Sequence, residues 1–319
     1  MQYVNHSAER NVYIVKNTFI SGWKKEFKRN GALYIMMIPV VAFFIIFCYK
    51  PMYGALIAFK DYSPRLGIME SPWVGFEHFK SFFSSPDFGR TLKNTLTISL
   101  LSLVFSFPAP ILFALLLNEV KGGIFKRTVQ TVSYMPHFIS TIVICGMIKT
   151  FVGSEGLIGS LVNSITGNSG SLLMQPDKFV PIYIISGIWQ TMGWSAIVYL
   201  AALSGVDPQL YEAADIDGAG KLLKMFKITL PSITPTIITM LIMQVGRIMS
   251  LGYEKVILLY NPLIYETSDI ISSYTYRMAF ETRSWGYSTA VGLFNSVVNL
   301  ILLIISNKIS KKYTDSGLW

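Results

Sequence analysis

The 319 residues of this chain are 52% hydrophobic and only 14% charged, which excludes an ordinary soluble domain. The net charge of +9 comes from 27 basic and 18 acidic residues. An excess of lysine and arginine beside apolar segments is the usual orientation signal of membrane proteins, so the charge requires no nucleic-acid partner. Composition therefore indicates a polytopic membrane protein.

Apolar segments divide the chain into spans that approach or exceed the ~20 residues a helix needs to cross the hydrocarbon core. They predict an all-α integral membrane fold with six transmembrane helices. The segments cover residues 31–49, 94–117, 129–152, 180–203, 232–250 and 286–305.

An even number of spans places both termini on one side of the membrane. Basic residues are more numerous in the segments on that side, with Lys24 and Lys25 before the first span and Lys311 and Lys312 after the last. The positive-inside rule then predicts cytoplasmic termini. We interpret residues 1–30 as a cytoplasmic N-terminal segment, whose part from residue 16 is either an amphipathic surface helix or disordered. Residues 31–319 form one membrane domain.

A polar insert separates the fourth and fifth apolar segments. Asp207 can cap a helix that begins at Pro208, because proline at the first helical position loses no intrahelical hydrogen bond. Gly218 supplies a break where positive φ costs little. A second short helix is predicted for 221–229, ending before Leu230. The insert should therefore consist of two short helices that meet at a bend.

The order of residues in this insert resembles the EAA loop of permease subunits of ABC importers. Glu212-Ala213-Ala214 is followed by Gly218-Ala219 and then by Leu230-Pro231. In that family the loop, 207–231 here, is a coupling helix that docks in a groove of the ATP-hydrolysing subunit. The alternative is a solvated amphipathic hairpin. The resemblance implies these ATPase-coupling residues: Glu212, Ala213, Ala214, Asp215, Asp217, Gly218 and Ala219.

A second resemblance lies before the second span. Trp73-Val74-Gly75-Phe76 and the pair Asn94-Thr95 resemble the outer lead-in of sugar-type importer permeases, in the branch associated with oligosaccharide and polysaccharide uptake. This likeness implies a sugar importer in the cytoplasmic membrane of a bacterium that works by alternating access. The implied partners are a second homologous permease in a heterodimer, two ATP-binding subunits and an extracytoplasmic solute-binding protein.

The chain lacks the chemistry needed to supply energy itself. A phosphate-binding loop would require Gly and Ser or Thr where Asp215 and Leu222 stand. We therefore expect no cofactor in this chain, with ATP and Mg²⁺ bound by the partner ATPase, and we interpret it as a transporter subunit, not an enzyme. The histidines, His6, His78 and His137, are scattered, and no metal is assigned.

Polar side chains within an apolar span are costly against lipid and tend to face the interior. Helical spacing places two such groups on common faces of the fourth and fifth spans. Similarity to maltose-type permeases implies a sugar site there, with Trp194 for stacking, glutamines for hydroxyls and Arg247 to anchor a carboxylate of an acidic glycan. Helix packing or pairing with the partner permease is the alternative. The residues are Gly187, Gln190, Thr191, Trp194, Gln244 and Arg247.

Two other functions remain as alternatives. An ion-coupled secondary transporter would place acidic or histidine relays within its spans, yet the predicted spans contain no Asp or Glu and only His137. An ABC permease for another small solute, such as an amino acid or phosphate, would lack the long aromatic segment at 49–83.

Overall fold

The computed structural model describes residues 19–167, 169–314 and 317–318, and divides the chain into two units, Met1–Ala55 and Leu56–Trp319. Among these residues the only β pairing is an isolated bridge between Lys60 and Trp73. Helices long and apolar enough to cross a membrane number six in the described part. The predicted all-α fold with six spans is therefore confirmed.

The first unit is one long helix with an extension. Helix α1 (Phe19–Phe43) has non-helical backbone at Asn30 and contains Pro39; it continues through a π-turn at Phe44–Tyr49 into α2 (Lys50–Met52). The predicted N-terminal segment 1–30 is thus described only from Phe19, and that part is helical; residues 1–18 lie outside the described residues.

The second unit contains the other helices, joined by short 3₁₀ turns. In chain order they are α3 (Gly67–Glu70), α4 (Glu77–Ser84), α5 (Pro86–Phe105), α6 (Pro108–Glu119), α7 (Ile124–Tyr134), α8 (Thr141–Val152), α9 (Leu157–Thr166), α10 (Pro176–Ser204), α11 (Pro208–Ile216), α12 (Lys221–Lys224), α13 (Leu230–Val245), α14 (Tyr253–Leu259), α15 (Tyr265–Ser268), α16 (Ile271–Phe280) and α17 (Trp285–Thr314).

The predicted third span is wrong as a continuous helix. α7 gives way to a 3₁₀ turn at Met135–Phe138, because Pro136 removes a backbone donor and cannot continue the α-helical ladder. α8 then starts afresh after Ser140, whose side chain accepts a hydrogen bond from the Val143 amide. The span is Thr141–Thr166 instead.

The predicted end of the second coupling helix before Leu230 is also wrong. α12, a π-turn at Met225–Thr229 and α13 run on without a break. The Leu230 amide bonds to the Met225 carbonyl, five residues back. This widened turn directly precedes Pro231 and accommodates a ring that would otherwise clash in a regular helix. The second arm of the predicted coupling loop, from Lys221, and the fifth span are therefore one continuous helix.

Helix α10 is the central element of the second unit and packs against α6, α7 and α13. Its buried residues Ala196, Tyr199 and Leu203 share a core with Ala114 and Ile233. One face of α10 therefore packs in this core, and residues on its other faces line other surfaces.

The segment between α13 and α17 is anchored by a buried carboxylate. Asp269 is fully buried and accepts hydrogen bonds from Arg277 at 2.6 Å, from Arg90 at 3.3 Å and from Ser273 at 2.8 Å. Since a buried charge must be paired to be tolerated, this cluster fixes the segment to the start of α5.

The pair Asn94-Thr95 strengthens the same attachment. Asn94 Nδ2 donates to the Asp269 carbonyl at 3.0 Å, and Thr95 Oγ1 accepts from the Ile271 amide at 2.9 Å. Both side chains satisfy backbone groups of a buried loop, which would otherwise lack partners. Asn94 and Thr95, which the sequence analysis identified, therefore join α5 to the start of α16.

We expect Asp269→Ala to destabilise the protein by about 3–5 kcal/mol, because it leaves two arginines without their shared anion. The exposed pair Asp177–Lys178 offers a matched control, since Asp177→Ala removes a carboxylate that water replaces. Thermal unfolding of the purified protein in detergent measures both. Equal midpoints for the two variants would contradict the anchoring role of Asp269.

Candidate functional site

A cavity of about 350 Å³ lies between the α5–α6 junction, α10 and the end of α13. A cleft of about 20 Å³ adjoins it on the far side of Gln244 and Arg247. Trp194 and Met243 remain about 40% exposed (42% and 40%), so the cavity opens to the surface of the chain. Its lining residues are Ser106, Phe107, Pro110, Thr191, Trp194, Ser195, Val198, Tyr199, Met240, Met243, Gln244 and Arg247.

A break in the second span forms one wall. α5 ends at Phe105 and α6 begins at Pro108, so Ser106 and Phe107 lie in a turn. Pro108 has no amide hydrogen to continue the ladder, and Pro110 follows within the next turn. The Phe107 amide instead reaches the Ser102 carbonyl at 3.2 Å. The kink turns Phe107 and Pro110 towards the cavity.

The structure brings four of the six sequence-predicted residues together. Thr191 and Trp194 of α10 face Gln244 and Arg247 across the cavity. Gly187 and Gln190 are not among its lining residues; an added Cβ at Gly187 would instead lie 3.7 Å from Lys255 Nζ. The other wall residues were not singled out, since small polar and apolar side chains carry no distinctive signal in a span.

The prediction that Arg247 lies within the fifth helix is wrong. α13 ends at Val245, and residues 246–249 form turns. Gly246 allows the turn to approach α17 closely, because a Cβ there would come within 2.5 Å of Leu303. Arg247 is thus presented by irregular backbone rather than by a helix face.

Polar side chains from two other spans support this turn. The Met249 amide donates to Asn299 Oδ1 at 3.0 Å, and Asn299 Nδ2 donates to Ser250 Oγ at 2.7 Å. Ser99 Oγ donates to the Ile248 carbonyl. Irregular backbone at membrane depth requires such partners. Sequence reasoning missed these residues, although a lone asparagine in an apolar stretch is a usable signal.

The Arg247 side chain forms no hydrogen bond or ion pair with any residue that the structure describes, and it is exposed on the cavity wall. Arg247 lies two residues beyond the end of the fifth candidate span, Lys221–Val245. Its guanidinium is open to solvent and to any ligand that enters the cavity. Within the described chain, no backbone carbonyl cluster holds it.

The indole of Trp194 stacks on His137, a residue to which the sequence analysis assigned no role. The His137 imidazole stacks on the indole with centroids 4.7 Å apart and planes 4° from parallel, and Phe138 meets the indole edge-on at 5.3 Å. Both rings come from the 3₁₀ turn between α7 and α8. His137 thus fixes the plane of the indole at the cavity wall.

A glycine permits this arrangement. At Gly193 a Cβ would come within 2.2 Å of the Ser133 carbonyl oxygen, so α10 contacts the end of α7 through bare backbone. Any larger residue must push the two helices apart. The stacking of the next residue, Trp194, on His137 depends on that close approach.

We expect Gly193→Ala to lower the thermal stability of the purified protein, because its methyl group overlaps backbone rather than a mobile side chain. Gly146→Ala in α8 is the matched control: nothing lies within 4 Å of a Cβ there. Alanine should be neutral or stabilising at that site, by up to about 1 kcal/mol. Unchanged unfolding of Gly193→Ala would show that the helices separate without cost.

The predicted coupling loop, residues 207–231, follows α10. Asp207 Oδ1 accepts from the Gln209 amide at 2.9 Å, and Pro208 is the first residue of α11, which confirms the predicted cap. The chain then bends at Gly218 with φ +73°, also as predicted. Glu212, Ala213, Ala214 and Asp215 lie on α11, whereas Asp217, Gly218 and Ala219 form the bend.

Two contacts hold the arms of the loop together. Lys224 Nζ donates to Asp215 Oδ1 at 2.6 Å, and Tyr211 and Thr229 share a hydroxyl hydrogen bond at 3.0 Å. Glu212 stays exposed. The loop also exposes several apolar side chains. The exposed apolar residues of the loop are Leu210, Ile216, Leu222, Leu223 and Phe226.

Comparison with known proteins gives a consistent result. The family described as "Binding-protein-dependent transport system inner membrane component" matches residues 106–315. In Bacillus subtilis (strain 168), Protein LplB is 48% identical over 93% of this chain and 94% of its own length. The polygalacturonan/rhamnogalacturonan transport system permease protein YteP of the same organism is 44% identical, covering 90% of each chain.

Solved structures are also similar. A chain from the crystal structure of a bacterial ABC transporter involved in the import of the acidic polysaccharide alginate has a TM-score of 0.84 and 43% identity, covering 92% of this chain and 99% of that one. The same values hold for that alginate transporter in complex with an alginate pentasaccharide-bound periplasmic protein.

Proposed function

We propose that this chain, which belongs to the family of binding-protein-dependent transport system inner membrane components, moves oligosaccharides or polysaccharide fragments that carry carboxylates. It is a multi-pass protein of the inner membrane, and the described part of the chain contains six helices of spanning length. Family membership argues against an ion-coupled secondary transporter. Relatives named for polygalacturonan and alginate transport support a glycan over an amino acid or phosphate.

One observation carries the proposal: Arg247 is an uncompensated cation in a cavity that also presents an aromatic ring. Trp194 offers an indole face for a sugar ring, and Gln244 offers hydrogen bonds to hydroxyl groups. A guanidinium binds a carboxylate through two parallel hydrogen bonds, which a neutral sugar does not use. Thr191 lies one turn from Trp194 on the same face. Gly187 and Gln190 lie further along α10, where an extended glycan would pass.

The mechanism that we propose is alternating access between two permease chains. This chain would pair with a second, homologous permease, and an extracytoplasmic solute-binding protein would deliver the glycan. Two partner subunits would bind ATP and Mg²⁺ and hydrolyse the nucleotide. We propose that the termini, including the 1–30 segment, lie in the cytoplasm and that 31–319 is the permease domain, with its coupling loop at 207–231.

We expect Arg247→Gln to reduce uptake of an acidic oligosaccharide at least about tenfold, as loss of a hydrogen-bonded charge pair predicts. Arg247→Lys should recover only part of the activity, because an ammonium lacks the planar fork of donors. Uptake in cells and protein abundance in membranes are measured together. Lys178→Gln, which removes a half-buried cation outside the cavity, is the control and should transport normally.

Normal transport by Arg247→Gln would show that Arg247 pairs with the second permease instead. Selection of neutral glycans by the cognate binding protein would reject the carboxylate while leaving the importer itself intact.

The coupling loop supplies the second part of the proposal. We propose that Glu212 forms a charge-assisted hydrogen bond with a basic residue in the ATPase groove. The apolar residues around Ile216 and Leu222 would fill that groove. Because α12 continues into α13, movement of the loop would be passed directly to the fifth span and the turn that bears Arg247.

We expect Gly218→Val to abolish coupled uptake while the protein still inserts. No atom lies within 4 Å of a Cβ there, so the obstacle is the positive φ, which a β-branched residue does not tolerate. Gly218→Asn should retain partial activity, since asparagine adopts this conformation. Gly220→Ala, at a neighbouring glycine with ordinary φ, is the control. ATPase activity stimulated by the loaded binding protein is the measurement.

Full stimulation in Gly218→Val would contradict the role of the bend. The cytoplasmic location of the loop is tested separately by replacing the exposed Lys221 with cysteine. This cysteine should not react with an impermeant thiol reagent in intact cells. Labelling from outside would reverse the proposed orientation.

A further inference from the structure

Lys255 of α14 is a buried lysine outside the cavity and outside the six candidate spans. Only 9% of it is exposed. Its neighbours include Tyr183 and Gly187 of α10 and Cys145 of α8. Its Nζ donates to the Tyr183 carbonyl at 3.4 Å and lies 5.1 Å from the centre of the Tyr183 ring. These are weak contacts for a full charge.

No carboxylate among the described residues forms an ion pair with Lys255; the Cys145 thiol and Tyr183 are the titratable groups that face it. Burial lowers the pKa of Lys255 to about 8. Lysines are rarely buried unless they are paired, because desolvation of the charge is costly. The missing partner is an anion.

The ammonium group reaches one particular face of α10. A Cβ added at Gly187 would lie 3.7 Å from Lys255 Nζ, with no other described atom within 4 Å. Gly187, Thr191 and Trp194 are spaced i, i+4 and i+7, and so share one face of the helix. At 1.5 Å per residue, Gly187 lies about 6 Å from Thr191 and about 10 Å from Trp194 along the axis. Lys255 therefore adjoins an extension of the cavity wall.

We propose that Lys255 forms a second carboxylate-binding subsite, reached through the gap that the missing side chain of Gly187 leaves on α10. This inference rests on the proposed function. An acidic glycan that passes along the Gly187–Trp194 face would meet the ammonium of Lys255 at one end and the guanidinium of Arg247 at the other. Two cations spaced along one face select a chain with repeated carboxylates over a single acidic sugar.

The glycine is as important as the lysine. Any side chain at 187 would stand between the ammonium and a ligand on the outer side of α10. Glycine weakens a helix by up to about 1 kcal/mol relative to alanine. Gly187 therefore does not stabilise α10, but it leaves room for a ligand to reach the ammonium of Lys255. In the proposed orientation α10 enters the membrane from outside at Pro176. A glycan would then reach Lys255 before it reaches Trp194.

The test uses the complete importer with its binding protein, and compares an alginate pentasaccharide, a galacturonate pentasaccharide and a neutral maltopentaose. Lys255→Met keeps an unbranched apolar stem, one atom shorter than lysine, and removes the charge. We expect a rise of roughly tenfold or more in the concentration for half-maximal uptake of the acidic glycan that wild type transports, as for loss of one charged hydrogen bond. Any neutral uptake should not change.

Gly187→Val closes the gap while Lys255 stays in place, and should produce the same selective loss. Gly146→Ala, at an open position on α8, is the control. Thermal unfolding checks the fold of each variant; Lys255→Met should be at least as stable as wild type, because an apolar side chain replaces a buried charge.

Wild-type affinity for the acidic glycan in both Lys255→Met and Gly187→Val would overturn the subsite and leave the proposed function in place. Equal losses for acidic and neutral glycans would also overturn it, since they indicate a packing role. A wild-type importer that takes up neither acidic pentasaccharide would overturn the proposed function, and the subsite with it.

Discussion

The cavity depends on interruptions of helices within the membrane and on the hydrogen bonds that make those interruptions tolerable. Backbone groups at membrane depth have no water to bind, so each break must find partners inside the protein. The break after Val245 finds them in Asn299 and Ser99, contributed by the sixth and second spans. Those two side chains bond to the backbone of the turn that bears Arg247.

The other two breaks are made by proline. Pro108 interrupts the second span next to Phe107. Pro136 lies in the turn between α7 and α8, and the next residue, His137, stacks on Trp194. In each case the loss of helical hydrogen bonds creates a place where side chains converge, and α10 packs between them. A continuous bundle of straight helices would bury the same apolar surface but would enclose no polar cavity.

Charged residues of this chain follow two different rules. Asp269 is saturated by two arginines and a serine, which makes it an anchor. Arg247 and Lys255 have no carboxylate partner among the described residues, although one lines the cavity and the other is buried beside its extension. Desolvation is costly for the buried ammonium of Lys255, whereas the guanidinium of Arg247 is exposed. The predicted coupling loop also contains a paired charge, since Lys224 forms an ion pair with Asp215. Glu212 of the same loop is exposed.

The sequence by itself determined the number of spans, the capped helix at Asp207, the bend at Gly218 and the family, because these depend on local composition, φ preferences and contiguous residue order. It also indicated Thr191, Trp194, Gln244 and Arg247 through helical spacing. Only the tertiary structure decided that the third span breaks, that the loop helix continues past Leu230, and that His137, Asn299 and Lys255 belong near these residues. Those outcomes depend on hydrogen bonds and ring contacts between segments far apart in the chain, and periodicity within one segment carries no information about them.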